Sequence, residues 1–177
     1  MFDKLFEKIT KIEQKAKFDR RTKMYTYQKA LLYSIKNLKM AIRNCQKLLE
    51  YMGISSKYSD QDCAVLAGKM LKIVEQRQRL IRLKGILRNI VTNFTLDEKK
   101  LFAKKYLGKK QNFNEYSQRQ YFRNQNKLVK SFAHRLKMFG LDEERFNRDY
   151  LSIPYINSIY RLVQERERVT PRRKSSL

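Results

Sequence analysis

The sequence predicts an all-α protein. Its 177 residues include only five glycines and two prolines, so turn-forming residues are scarce and helical segments can be long. Apolar residues recur at steps of three and four, whereas the alternation typical of strands and the dipeptides typical of hairpins do not stand out. Together these observations predict a long antiparallel helical hairpin followed by a helix-turn-helix-like helical C-terminal half.

The first two predicted units are an amphipathic helix over residues 1–21 and a helical hairpin over residues 22–94. The first hairpin arm spans about 22–52, with Gly53 positioned to end it and Ser59 to cap the second arm. A heptad-like apolar seam runs along both arms, and its residues are Leu31, Ile35, Leu38, Ile42, Leu49, Leu66, Ile73, Leu80 and Leu87.

The connection between the arms is short, so the two helices are expected to fold back on each other. The same seam could instead pair as a coiled coil with a second protomer or with a helical protein partner. The second arm also carries a strip of basic residues that could face phosphates: Arg77, Arg79, Arg82, Lys84 and Arg88.

A basic helix-turn-helix-like segment is predicted over residues 95–140. Thr95 and Glu98 form a capping box that opens a helix ending at Gly108, and Ser117 caps a long basic helix ending at Gly140. The last predicted units are C-terminal helices over residues 141–168, with Pro154 in the first turn of the second, and a disordered basic tail over residues 169–177.

The charge balance is strongly positive. Forty-one Lys and Arg oppose 17 Asp and Glu, which gives a formal net charge of +24. A folded domain with this imbalance repels itself unless a polyanion relieves the repulsion, and nucleic acid is the commonest such partner. Because no apolar run reaches the roughly 20 residues of a membrane span and no secretory signal opens the chain, a cytoplasmic protein is expected, nucleoid- or nucleus-associated if it binds DNA.

Residues suited to catalysis or metal binding are sparse. His134 is the only histidine, and no phosphate-binding loop, dinucleotide-binding turn or nucleophile elbow occurs. Cys45 and Cys63 lie 18 residues apart at apolar helical positions without nearby partners for zinc, so they are predicted to be buried free thiols. The sequence therefore predicts a protein that is not an enzyme and that has no metal or cofactor.

The segment SQRQYFRNQNKLVKSFAHRLK, residues 117–137, offers the chemistry of base recognition. Arginine can bond guanine in a bidentate way, and glutamine or asparagine can pair with adenine, at the first turns of a helix in the major groove. The predicted base contacts are Gln118, Arg119, Gln120, Arg123 and Asn124. The predicted phosphate contacts are Lys104, Lys105, Lys109, Lys110, Lys127 and Lys130.

Residues 95–140, through TLDEKKLFAKKYLG and the segment that Ser117 opens, resemble the sigma factor region 4-like helix-turn-helix of phage-type transcription activators. That resemblance implies a recognition helix capped by Ser117, with Arg119 and Arg123 facing DNA. In this chain the family's middle helix is compressed into the short segment KKQNFNEY.

Three functions remain open from the sequence. The favoured one is a DNA-binding transcription regulator or architectural protein that uses the helix beginning at Ser117 on duplex DNA. The alternative is an RNA-binding or ribosome-associated protein, in which aromatic rings stack on unpaired bases: Tyr106, Phe113, Tyr116, Tyr121 and Phe122. The third is a coiled-coil module for protein–protein interaction through the hairpin.

Overall fold

A computed structural model describes residues 24–55, 62–108 and 117–169. Over these ranges the protein is all-α without strands, which confirms the predicted fold class. The helices are α1 (Thr26–Ser34), α2 (Leu38–Ser55), α3 (Cys63–Thr92), α4 (Leu96–Tyr106), α5 (Gln118–Met138), α6 (Glu143–Asp149) and α7 (Pro154–Val169). None of the helices in these ranges is long and apolar enough to cross a membrane.

Several predicted features fall outside the described residues. They are the helix of residues 1–21, Ser59, the segment 109–116 and the tail from residue 170 onward. The tail was predicted to begin at residue 169, but Val169 is the last residue of α7.

The first hairpin arm is not one continuous helix, contrary to the prediction. A 3₁₀ turn, Ile35–Asn37, separates α1 from α2, and the buried Ser34 hydroxyl donates a hydrogen bond to the Leu31 carbonyl at 2.8 Å just before it. The break has a tertiary origin, because α1 packs against α7 whereas α2 packs against α3.

Two predicted helix boundaries were wrong. Gly53 does not end the first arm, since α2 continues to Ser55 and Gly53 does not adopt the positive φ of a terminating glycine. The second arm starts at Cys63 with Asp62, rather than Ser59, as its N-cap; the Asp62 carboxylate accepts a hydrogen bond from the Ala64 amide at 2.9 Å.

Helices α2 and α3 pack against each other in opposite directions. Leu38, at the start of α2, lines the same groove as Leu87 near the end of α3. Cys45, later in α2, lies close to Arg77, which comes earlier in α3. Cys45 is half-buried and burial raises the pKa of its thiol, but Cys63 is exposed, so the prediction of two buried thiols was wrong for Cys63.

The seam is buried only near the body of the protein. Leu31, Leu38, Leu80 and Leu87 are buried, whereas the remaining seam residues are half-buried: Ile35, Ile42, Leu49, Leu66 and Ile73. No described residue of the ranges 42–55 and 63–79 is fully buried. This part of α2 and α3 therefore buries less apolar surface than the rest of the protein, although Ile42 and Cys45 still pack against the core and Arg79 bonds to the Asp149 carbonyl.

The core is built where the end of α3 meets α4, α5 and α6. Phe102, Phe132 and Phe146 are fully buried in one apolar cluster, and the ring of Phe94 meets Phe102 edge-on at 5.9 Å. At the start of α4 the Thr95 hydroxyl accepts from the Glu98 amide and the Glu98 carboxylate accepts from the Thr95 amide, as the capping box predicted.

Gly140 ends α5 in the left-handed conformation that its position requires, with φ 62°. The amide of Leu141 donates to the Leu136 carbonyl at 2.9 Å, and the amide of Gly140 donates to the Lys137 carbonyl at 2.8 Å. These are the two hydrogen bonds of a Schellman motif, and they direct the chain from α5 into α6.

Substitution of Gly140 by alanine is expected to destabilise the fold by about 1–2 kcal/mol, because a left-handed residue with a Cβ is strained. The new Cβ would also lie 3.3 Å from the Nη1 atom of Arg145. Gly85 is the matched control, because it lies inside α3 with nothing within 4 Å of its Cβ position. Gly85→Ala should stabilise the helix by up to about 1 kcal/mol in urea unfolding, and equal effects of both changes would contradict this account.

Tyrosines join α1 to the rest of the protein. The hydroxyl of Tyr155 donates to the Ser34 carbonyl at 2.6 Å. Tyr33 meets Tyr106 edge-on at 5.4 Å, and burial raises the pKa of Tyr33 to about 12.

This raised pKa predicts a loss of stability in alkali. Because the folded state keeps Tyr33 neutral, its contribution is fully present below the unfolded pKa of about 10 and is lost as the pH rises towards 12. The share of the loss due to Tyr33 should reach about 1 kcal/mol by pH 11 relative to pH 9, obtained by comparing urea unfolding of the unchanged protein and of Tyr33→Phe. Tyr33→Phe should remove that component, while phenylalanine at the exposed Tyr51 should not.

Candidate nucleic-acid interface

Helix α5 begins with a local N-cap. The Ser117 hydroxyl accepts a hydrogen bond from the Gln120 amide at 3.3 Å, as the sequence predicted. No acidic residue occurs in the first turn or anywhere else in α5. The positive end of the helix dipole is therefore not offset by a carboxylate of the same helix, which favours an anion near Ser117.

Three predicted base-contact residues are exposed in the first two turns of α5: Arg119, Gln120 and Arg123. Asn124 is half-buried, and the side chain of Gln118 lies outside the described part of the structure. The next residue, Gln125, is 2% exposed and points into the protein. The exposed face at this end of α5 thus carries two arginines and a glutamine.

This face continues along the whole helix as a basic ridge. Its members follow one another at steps of three or four residues and are all exposed: Arg119, Arg123, Lys127, Lys130, His134 and Lys137. At 1.5 Å per residue the ridge is roughly 27 Å long. Within the described ranges none of its five Lys and Arg side chains forms an ion pair. We call this set the α5 ridge.

The opposite face of α5 fixes the direction of the ridge. Leu128, Val129, Phe132 and Leu136 are buried against the rest of the core, as their helical spacing predicted. Helix α5 packs against α4 and α3. Since both neighbours lie behind it, the α5 ridge faces solvent.

Arg135 is the basic residue of α5 that does not join the ridge. Its guanidinium donates to the backbone carbonyl of Asn93, just after α3 ends, and lies 5.7 Å from the ring centroid of Phe94. Asn93 is the C-cap of α3, where backbone carbonyls lack partners within the helix. Arg135 provides a hydrogen-bond donor for one of these carbonyls. This residue positions α5 relative to α3 and was not singled out from the sequence.

The predicted phosphate contacts fall into three groups. Lys127 and Lys130 lie on the α5 ridge. Lys104 and Lys105 are half-buried in the last turn of α4, and the Lys105 ammonium lies 5.6 Å from the centroid of the Tyr106 ring. Lys109 and Lys110 fall in the segment that the structure does not describe.

The basic residues of α3 do not form the single strip expected from the sequence. The Nε atom of Arg77 is buried without a hydrogen-bond partner among the described residues, and Arg79 donates to the Asp149 carbonyl at 3.4 Å. Lys84 and Arg88 follow Arg77 at helical spacing on the side of α3 beside α2, whereas Arg79 and Arg82 lie on the side near Tyr150. The five residues therefore form two groups on different faces of α3, because residues two or five apart do not share a face of a helix.

The aromatic residues considered for base stacking are partly used in packing. Tyr106 is buried and stacks on Phe102 with ring centroids 5.5 Å apart. Tyr121 and Phe122 are half-buried and meet edge-on at 5.7 Å near the start of α5. Phe113 and Tyr116 lie outside the described residues. Tyr106 is therefore a core residue, and Tyr121 also packs against the core.

Over the described residues the protein is all-α, and its helix α5 carries a row of exposed basic side chains without a carboxylate. In the described ranges, no group of three or more His, Cys, Asp or Glu side chains could hold a metal ion. The chain matches no protein-family model, no curated protein and no solved structure.

Proposed function

We propose that this protein binds duplex DNA without catalysing a reaction, as a transcription regulator or architectural protein. The observation that carries the proposal is the α5 ridge, with five Lys and Arg side chains on one exposed face of a helix that has no carboxylate. A fixed row of cations attracts a polyanion, and each neutralised phosphate releases counterions.

The dimensions of α5 suit the major groove. That groove of B-DNA is about 12 Å wide and admits an α-helix. In this arrangement Arg119, Gln120 and Arg123 at the N-terminal end contact base edges. For Arg119 and Arg123 the resemblance to sigma factor region 4-like domains implies the same. Lys127, Lys130 and Lys137 lie further along the helix and contact flanking phosphates.

RNA is the alternative ligand, because the half-buried rings of Tyr121 and Phe122 lie in the same two turns of α5 as Arg119 and Arg123. Single-stranded RNA is recognised mainly through stacking of unpaired bases on aromatic rings, whereas duplex DNA is bound through cations and groove contacts. The burial of Tyr106 leaves fewer rings for such stacking and favours duplex DNA.

Fluorescence anisotropy with a random DNA duplex, a single strand and a structured RNA, each over a salt series, tests the proposal. Duplex DNA should bind tightest, and the slope of log K against log salt should be steep, at about −0.9 for each phosphate neutralised. Lys127, Lys130 and Lys137 changed together to glutamine should make the slope shallower by about 2–3.

The matched control changes three exposed lysines to glutamine, Lys47 on α2 and Lys69 and Lys72 on α3. It lowers the net charge by the same amount as the triple variant of α5. Its slope should stay close to that of the unchanged protein. If the slope becomes shallower by the same amount in both triple variants, binding depends on the overall charge rather than on α5. Tightest binding to RNA would overturn duplex DNA as the ligand.

A further inference from the structure

An apolar groove lies where the start of α2, the last third of α3 and helix α4 meet. Its volume is about 440 Å³, within the range of roughly 300–1,000 Å³ typical of small-molecule sites. The apolar side chains that line it are Ile35, Leu38, Leu87, Val91, Phe102 and Leu107. The groove is therefore a concave surface where an apolar molecule would lose contact with water.

Four cationic side chains from three helices surround this groove: Lys39, Lys84, Arg88 and Lys99. All four residues are exposed, and no Asp or Glu lines the groove. Within the described ranges none of the four forms an ion pair. The surface thus combines an apolar floor with an uncompensated positive rim.

We propose that this groove binds a small amphiphilic anion, a molecule with an apolar chain and a single carboxylate, such as a medium-chain fatty acid. The chain would lie on Ile35, Val91 and Leu107, whose side chains are partly exposed in the groove, and the carboxylate would accept hydrogen bonds from the rim. Hydrophobic burial supplies the affinity, and the cations select an acid over an uncharged analogue. No residue of the α5 ridge lines the groove, so this site does not depend on DNA binding.

The probes for the test are decanoate and 1-decanol, titrated below their aggregation limits into the full chain with ¹³C-labelled methyl groups. Decanoate should shift the methyl signals of Ile35, Val91 and Leu107 with one saturable isotherm. Decanol should bind several-fold more weakly, because it lacks the charge that the rim attracts. Failure of decanoate to bind, or equal binding of decanol, would overturn the proposal.

Two charge variants distinguish binding by the rim of the groove from attraction by the overall positive charge. Lys84→Gln with Arg88→Gln should weaken decanoate binding roughly tenfold, the effect of losing two surface charge contacts. The matched pair Lys69→Gln with Lys72→Gln removes the same charge from exposed positions of the same helix that do not line the groove. It should leave the affinity unchanged, and equal weakening in both pairs would show nonspecific attraction only.

Discussion

Replacing Arg119 and Arg123 together by alanine is expected to weaken binding to a selected duplex about a hundredfold, since each bidentate contact to guanine contributes about 1–3 kcal/mol. Both side chains are exposed in the first two turns of α5. The change should therefore leave the thermal unfolding midpoint nearly unaltered. Anisotropy with the selected duplex measures the affinity, and circular dichroism checks the fold.

The control pair is Arg43→Ala with Arg161→Ala, two exposed arginines on α2 and α7. It lowers the net charge by the same amount and should weaken binding only a few-fold, through the general attraction of a basic protein for DNA. If both pairs weaken binding alike, α5 has no special role. If the first pair weakens all sequences equally, Arg119 and Arg123 contact phosphates rather than bases.

The largest expected effect on stability comes from Phe132→Ala. Phe132 is fully buried on the face of α5 opposite the ridge. Removing its ring should cost about 3–5 kcal/mol through lost burial and the cavity left behind. The midpoint of thermal unfolding should fall on the order of 10 °C. Phe132→Leu fills most of the space and should recover a large part of the loss.

Phe139 supplies the control for Phe132. It is the C-cap of the same helix and is 38% exposed, so its alanine variant should lose much less stability. Equal losses at the two positions would mean that the inner face of α5 is not anchored in the core as described. The position of the α5 ridge would then lack its structural support.

Features of the fold that depend on local sequence were predictable. The Thr95 and Glu98 capping box, the Ser117 cap and the helix end at Gly140 each involve residues close together in the chain. The 3₁₀ turn after Ser34 was not predictable, because it separates segments that pack on different distant helices. Local preference has little influence where tertiary packing decides the backbone.

The candidate site shows the same division. The exposure of Arg119, Gln120 and Arg123 follows from an apolar stripe on the other side of α5, which the sequence displays. His134 and Lys137 continue the same helical spacing, so the sequence also contained the signal that places them on the ridge. The hydrogen bond from Arg135 to the end of α3 could not be predicted from the sequence, because its acceptor, the Asn93 carbonyl, is 42 residues away.

Amide chemical-shift mapping with duplex DNA tests the central claim most directly, because it locates the contact without changing a residue. The account predicts shifts concentrated at Arg119, Gln120 and Arg123 and continuing along Lys127, Lys130 and Lys137. The hairpin arm near Lys69 and Lys72 should remain unaffected. Shifts centred on the arm or on the groove beside Lys84, with α5 unchanged, would contradict the assignment of α5 as the DNA-binding helix.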